Sequence, residues 1–149
     1  MKRLKSLFVL SCLSCATTFI PYKSEWKQSS DGDVFYAGIS ASASEKATQI
    51  DSVSMKQRTC IDATKTISTS PKISQLLVDV EQQEISASEV KELGKLIASY
   101  KITPNLIECQ PKSKDSFFGG VDWSNCQCLY SVVYPGGRAQ LQKDIQKVK

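Results

Sequence analysis

Asn125-Cys126-Gln127-Cys128-Leu129-Tyr130-Ser131-Val132-Val133-Tyr134 is the stretch on which the fold turns. It is dense in β-branched and aromatic residues and stops at Pro135-Gly136-Gly137, so it predicts a strand that ends in a turn. Side chains alternate along a strand, which puts Cys126, Cys128, Tyr130, Val132 and Tyr134 on one face. Two cysteines on one apolar face need partners from elsewhere in the chain. Finding them orders the rest of the sequence.

Upstream, Val34 to Ser40 is a second strand candidate. Ser42-Ala43-Ser44-Glu45 has the pattern of a capping box and predicts a long helix reaching about Ser68. Ala43, Ala47, Ile50, Val53, Cys60, Ile61, Ala63 and Ile67 fall on one arc of that helix, with Met55 outside it. Pro71 ends it. Ile73, Leu76, Leu77 and Val80 mark a shorter helix, and Ser86-Ala87-Ser88-Glu89 caps a third through Val90, Leu93, Leu96, Ile97 and Tyr100. Ile102 to Gln110 is extended, with Pro104 confining its start to an edge or first position. Pro111 to Ser124 reads as a loop, and Leu141, Ile145 and Val148 line a closing helix. The order β-α-α-α-β-β-α predicts an α+β fold: a small antiparallel sheet packed against helices, in one domain over residues 34–149. A length of 149 residues leaves no room for a second core of any size.

Two of the six cysteines, Cys12 and Cys15, lie near the N-terminus. The other four, Cys60, Cys109, Cys126 and Cys128, are an even set, which in an exported domain points to disulfides. The expected pattern joins Cys109 to one of Cys126 and Cys128, and Cys60 to the other. A four-thiolate metal site normally arrives as two CxxC knuckles, and only one Cys-x-Cys is present. A redox role for Cys126-Gln127-Cys128 lacks the helix N-terminus that would lower a thiol pKa. No metal and no cofactor are therefore expected.

The chain starts with Met1-Lys2-Arg3-Leu4-Lys5 and an apolar run from Leu7 to Leu13. That run is too short to span a bilayer, where a helix needs roughly 20 residues, and it fits the core of an export signal over residues 1–15. Two processing outcomes remain open. Ser14 and Ala16 suit cleavage after Ala16, which would release a soluble protein beginning at Thr17. Alternatively, the repeated Leu-Ser-Cys at 10–12 and 13–15 resembles a lipoprotein signal, with Cys15 acylated or, failing that, Cys12. Ala16 following Cys15 resembles signals for outer-membrane delivery. Residues 16–33, with Pro21, Ser24, Ser29, Ser30 and Gly32, read as a tether, with Phe19, Ile20 and Trp26 resting on the folded surface.

Composition narrows the function classes. The formal net charge is +4, but Lys2, Arg3 and Lys5 belong to the signal, and without them 16 basic side chains face 15 acidic ones. Such a balance supports no nucleic-acid partner. The chain has no histidine, which excludes Ser-His-Asp and Cys-His catalysis and every zinc site that needs imidazole. Phe117, Phe118 and Trp123 form a candidate binding loop, unless they pack over the end of the core. Arg138, beside the Pro135-Gly136-Gly137 turn, could attend an anion at a helix start, although a plain glycine turn explains that motif as well. Glu81 with Glu84, and Glu89 with Glu92, read as solvated helix surface. No residue is assigned a catalytic role, and an enzyme is not expected.

Phe35-Tyr36-Ala37-Gly38-Ile39-Ser40, preceded by Trp26 and followed by a long Ala- and Ser-containing helix, resembles the small bacterial outer-membrane lipoproteins typified by the twenty-kilodalton lipoprotein. Their final apolar strand and short amphipathic helix are similar to Leu129–Val133 and the helix after it. The resemblance implies a lipid-anchored envelope protein without catalytic residues, placed in the periplasm or at the cell surface. Its expected partners are the membrane, through an N-terminal lipid, and an envelope protein. A soluble secreted binding protein is the alternative.

Overall fold

The structure, a computed structural model, describes residues 19–30, 32–114 and 120–149. Among them the chain runs β1 (Glu25–Ser29), β2 (Gly32–Ser42), α1 (Glu45–Gln49), α2 (Val53–Ile67), α3 (Ser70–Glu81), α4 (Ala87–Ser99), β3 (Asn105–Lys114), β4 (Val121–Val133) and α5 (Gly137–Val148). The strands make one antiparallel sheet in the order β1-β2-β4-β3. The fold is the expected α+β arrangement, a helical layer over one face of a small sheet.

The two central strands set the core. Phe35, Ala37 and Ile39 of β2 stand opposite Val132, Tyr130 and Cys128 of β4, and all six are buried. Ile73, Leu77 and Val78 of α3, Leu93 and Ile97 of α4, and Leu141 and Ile145 of α5 close over them. At the other end Cys60, Trp123 and Cys126 form a second, smaller buried cluster. Thr64 of α2 meets the Tyr130 hydroxyl at 2.8 Å, linking that helix to β4 inside the protein.

Four boundaries differ from the expected ones, each for a local reason. Residues 25–29, expected within the tether, form an edge strand, because Trp26 stacks at 5.3 Å on Phe35 and pairs with it across the ladder. The capping box at Ser42 and Glu45 does not form. The β2 ladder continues to Ser42, whose hydroxyl bonds Asn125, and the helix is capped instead by Ser44, which accepts from the Ala47 amide. The long helix expected over this region is broken into α1 and α2 at Asp51, which adopts a positive φ of 54°, with Ser52 capping the restart. That break resets the helical phase, so Ile50 and Val53 are 56% and 53% exposed, where an unbroken arc would have buried them. Finally, the region read as a loop is largely sheet: β3 runs through Pro111 to Lys114, and β4 begins at Val121. Pro111 is tolerated because β3 is an edge strand, where a missing N–H interrupts no outer ladder.

Two local expectations, at Pro71 and at Ser86, hold. Pro71 lies in the first turn of α3, and Ser86 with Glu89 makes a complete capping box at the start of α4. No described helix is long and apolar enough to cross a membrane.

Candidate functional site

The alternation that turns Cys126 and Cys128 into the core turns Gln127, between them, to the opposite face. Among the described residues that face carries no helix. It is crossed by the segment immediately before β1, residues 19–24, which lies over β2, β4 and β3 in turn. Ser24 accepts the amide proton of Gly38 at 3.1 Å and so extends the ladder beyond β1. The Gln127 side chain is nearly buried. Its amide takes the Tyr22 N–H at 2.7 Å and donates to the Tyr22 carbonyl at 2.9 Å, both bonds a neighbouring strand would supply. Gln110 of β3 donates to the Ile20 carbonyl at 2.7 Å. The crossing needs a strand residue with no side chain at position 38, since a Cβ on Gly38 would collide with the Tyr22 carbonyl. Tyr22, partly desolvated and beside the Glu108 carboxylate, has its hydroxyl held above the usual tyrosine range. Residues 19–24 are thus a strap built into the fold, and the chain reaches the domain at the β3 edge.

The four core cysteines pair as Cys60–Cys126 and Cys109–Cys128. The second bridge joins residues directly opposite each other in β3 and β4, and the first ties α2 to β4. This resolves which member of the Cys126 and Cys128 pair each partner takes. Their sulfurs are fully engaged, and among the described residues no cluster of cysteine and carboxylate side chains could hold a metal ion.

Cys12, Cys15, Phe117 and Phe118 lie outside the described residues. Trp123 belongs to β4, is 8% exposed and packs on the Cys60–Cys126 bridge, so it is a core residue and offers no binding surface. Arg138 is also committed. Its guanidinium holds Glu81 at 2.7 Å, and its backbone N–H, at the start of α5, donates to the Asp33 carboxylate at 3.3 Å. At that helix start the Asp33 carboxylate, from within the chain, takes the place an external anion could have filled. Glu81 departs from the solvated reading: its side chain is nearly buried between Arg138 and Gln142. Glu89 completes the α4 capping box, and the Ser86 hydrogen bonds hold its carboxyl below the usual range. Glu92 pairs with Lys95.

Two polar clusters escape the sequence reading. Asp144 is 1% exposed, yet it accepts the Tyr100 hydroxyl at 3.0 Å, the Tyr134 hydroxyl at 2.7 Å and the Gln140 amide at 3.0 Å. Burial first, then the Asp144 hydrogen bond and charge, raise both tyrosines above their usual range. Helical spacing from Leu141 to Ile145 already places position 144 on the buried side, and that is the signal the sequence offers. Lys56 is the other: nearly buried, it holds Asp51 at 2.6 Å and Asp122 at 3.7 Å, fastening the α1–α2 break to β4. Both clusters join elements of the fold: Asp144 ties the end of α4 and the residue after β4 to α5, and Lys56 ties the α1–α2 break to β4. The strap on the helix-free face is the feature that packing of the core does not explain.

No family model matches this chain, and neither a curated protein nor a solved structure matches it.

Proposed function

We propose that this is an exported bacterial envelope lipoprotein, acylated at Cys15, that acts by binding or structural contact and not by catalysis. The observation that carries the reading is the pair of core disulfides, each joining elements that the chain brings together only on folding. Disulfides of this kind form and persist in oxidising compartments outside the cytosol. The basic start, the short apolar run and the repeated Leu-Ser-Cys at the N-terminus supply the route there. The resemblance of Phe35–Ser40 and its flanks to the twenty-kilodalton lipoprotein family supports an outer-membrane destination. Two or three acyl chains hold a protein firmly to a bilayer, since each buried methylene adds roughly 0.8 kcal/mol.

Phase partitioning in a detergent that separates on warming tests the anchor. The wild-type protein is expected in the detergent phase and the Cys15→Ala variant in the aqueous phase, with Cys12→Ala behaving as wild type. A Cys15→Ala protein that still enters the detergent phase would move the anchor elsewhere. A wild-type protein that stays aqueous and begins at Thr17 would make this a secreted binding protein.

A further inference from the structure

The strap limits how an anchored domain can sit on its membrane. From Cys15 to Phe19 the chain advances four residues, which fully extended reach about 14 Å, and about 18 Å to Ile20. A folded unit of this size has a radius of gyration near 14 Å, hence a diameter of about 35 Å. The reach is about half the diameter, so the domain cannot turn the side bearing Ile20 away from a bilayer that holds Cys15. A free segment from 16 to 24 would roughly double the reach and remove the constraint. Gln110, Gln127 and Ser24 prevent this by fixing the segment from Ile20 onward against the sheet.

We infer that the strap docks the helix-free face of the sheet, β3 edge foremost, on the surface of the lipid bilayer that carries the anchor. This rests on acylation at Cys15. The surface around the exit point suits the position. Ile20 is 76% exposed, Ile107 at the β3 edge is 49% exposed, and the exposed Lys23 and Lys112, set against the Glu108 carboxylate beside Tyr22, can meet anionic headgroups. β3 is also the longer of the two sheet edges, and covering it against a headgroup layer leaves no long open edge for another chain to extend. The helical layer, α3 and α4 above all, then faces away from the membrane and is the side presented to an envelope partner.

The test is paramagnetic broadening of amide signals by headgroup-chelated gadolinium lipids, with the full chain processed in cells and reconstituted in phosphatidylethanolamine–phosphatidylglycerol nanodiscs. Broadening is expected to be many-fold stronger at Ile20, Ile107 and Lys112 than at Asp79 of α3 and Lys91 of α4. Gln127→Leu, which removes both Tyr22 bonds and leaves the disulfides in place, should flatten that contrast. A second release variant, Gly38→Ala, acts through the backbone and should do the same, and near-unchanged far-ultraviolet circular dichroism of either variant shows that the fold is retained. Equal broadening of the strap and α4 in the acylated wild type overturns the inference and leaves anchoring intact. A processed mass without acyl chains overturns anchoring and the inference together.

Discussion

Cys60 and Cys126 are joined across 66 residues, and Cys109 and Cys128 across 19. Taken singly, the chain-entropy relation gives roughly 4 and 3 kcal/mol for loops of those lengths, the longer loop losing more freedom on closure. A Cys60→Ala, Cys126→Ala double variant should therefore lose about 2–4 kcal/mol in urea unfolding, a large share of a small domain's stability. Because Trp123 packs on that bridge, the loss should come with a shift in tryptophan fluorescence of the folded protein. The Asp144 cluster gives a second expectation at this scale. Tyr134→Phe removes a buried hydrogen bond to a carboxylate and should cost about 1.5–3 kcal/mol. The pH dependence has a definite sign. Tyr22, Tyr100 and Tyr134 are all held above the ordinary tyrosine value of 10.0, so the folded state keeps protons that the unfolded chain releases. Their contribution is complete below pH of about 10 and declines as pH rises toward the folded values. Unfolding measured against pH should show stability falling from about pH 10 upward in the wild type, and less steeply in Tyr134→Phe.

At the scale of the elements, the break between α1 and α2 decides which residues are buried. Counting at 100° per residue through Asp51 puts Ile50 and Val53 in the core; the restart at Ser52 puts Lys56 there and leaves those two in solvent. Val53→Glu should change stability by less than about 0.5 kcal/mol, whereas a continuous helix would make the same change costly. Thermal or urea unfolding distinguishes the two. The local sequence announces the break only faintly, since Asp51-Ser52 is tolerated inside a helix, and of the two ion pairs that hold it one is with nearby Asp51 and the other comes from distant Asp122. The α4 capping box is legible because all its partners lie within four residues. Ser86→Ala should cost about 1 kcal/mol by the same unfolding assay. The strap is legible only in part. Gly38 inside a strand marks a close backbone approach, but the segment that approaches it lies 16 residues upstream and has the composition of a tether.

Across the whole molecule, the sheet, the helical layer and the disulfide partners follow from periodicity and cysteine spacing, because each depends on patterns carried within single elements. The pairing of Cys60 with Cys126, and not with Cys128, depends on the register between β3 and β4, which sets Cys109 opposite Cys128. Register is a property of two strands together, and a bulge after Leu106 shifts it further from what either strand encodes alone. The candidate site suffers most from this. Trp123 and Arg138 have side chains typical of a binding surface, yet the fold commits one to a disulfide and the other to Glu81 and Asp33, while Gln127 has a plain side chain and holds the strap. Export, two disulfide staples and an anchor at Cys15 together fix the mass of the mature protein. Intact mass of the membrane-extracted protein, before and after reduction, is therefore the decisive measurement. The expected mass is that of the chain from Cys15 with its acyl chains, rising by the mass of about four hydrogens on reduction, two for each bridge. A lipid-free mass beginning at Thr17, or a mass that reduction leaves unchanged, would contradict it.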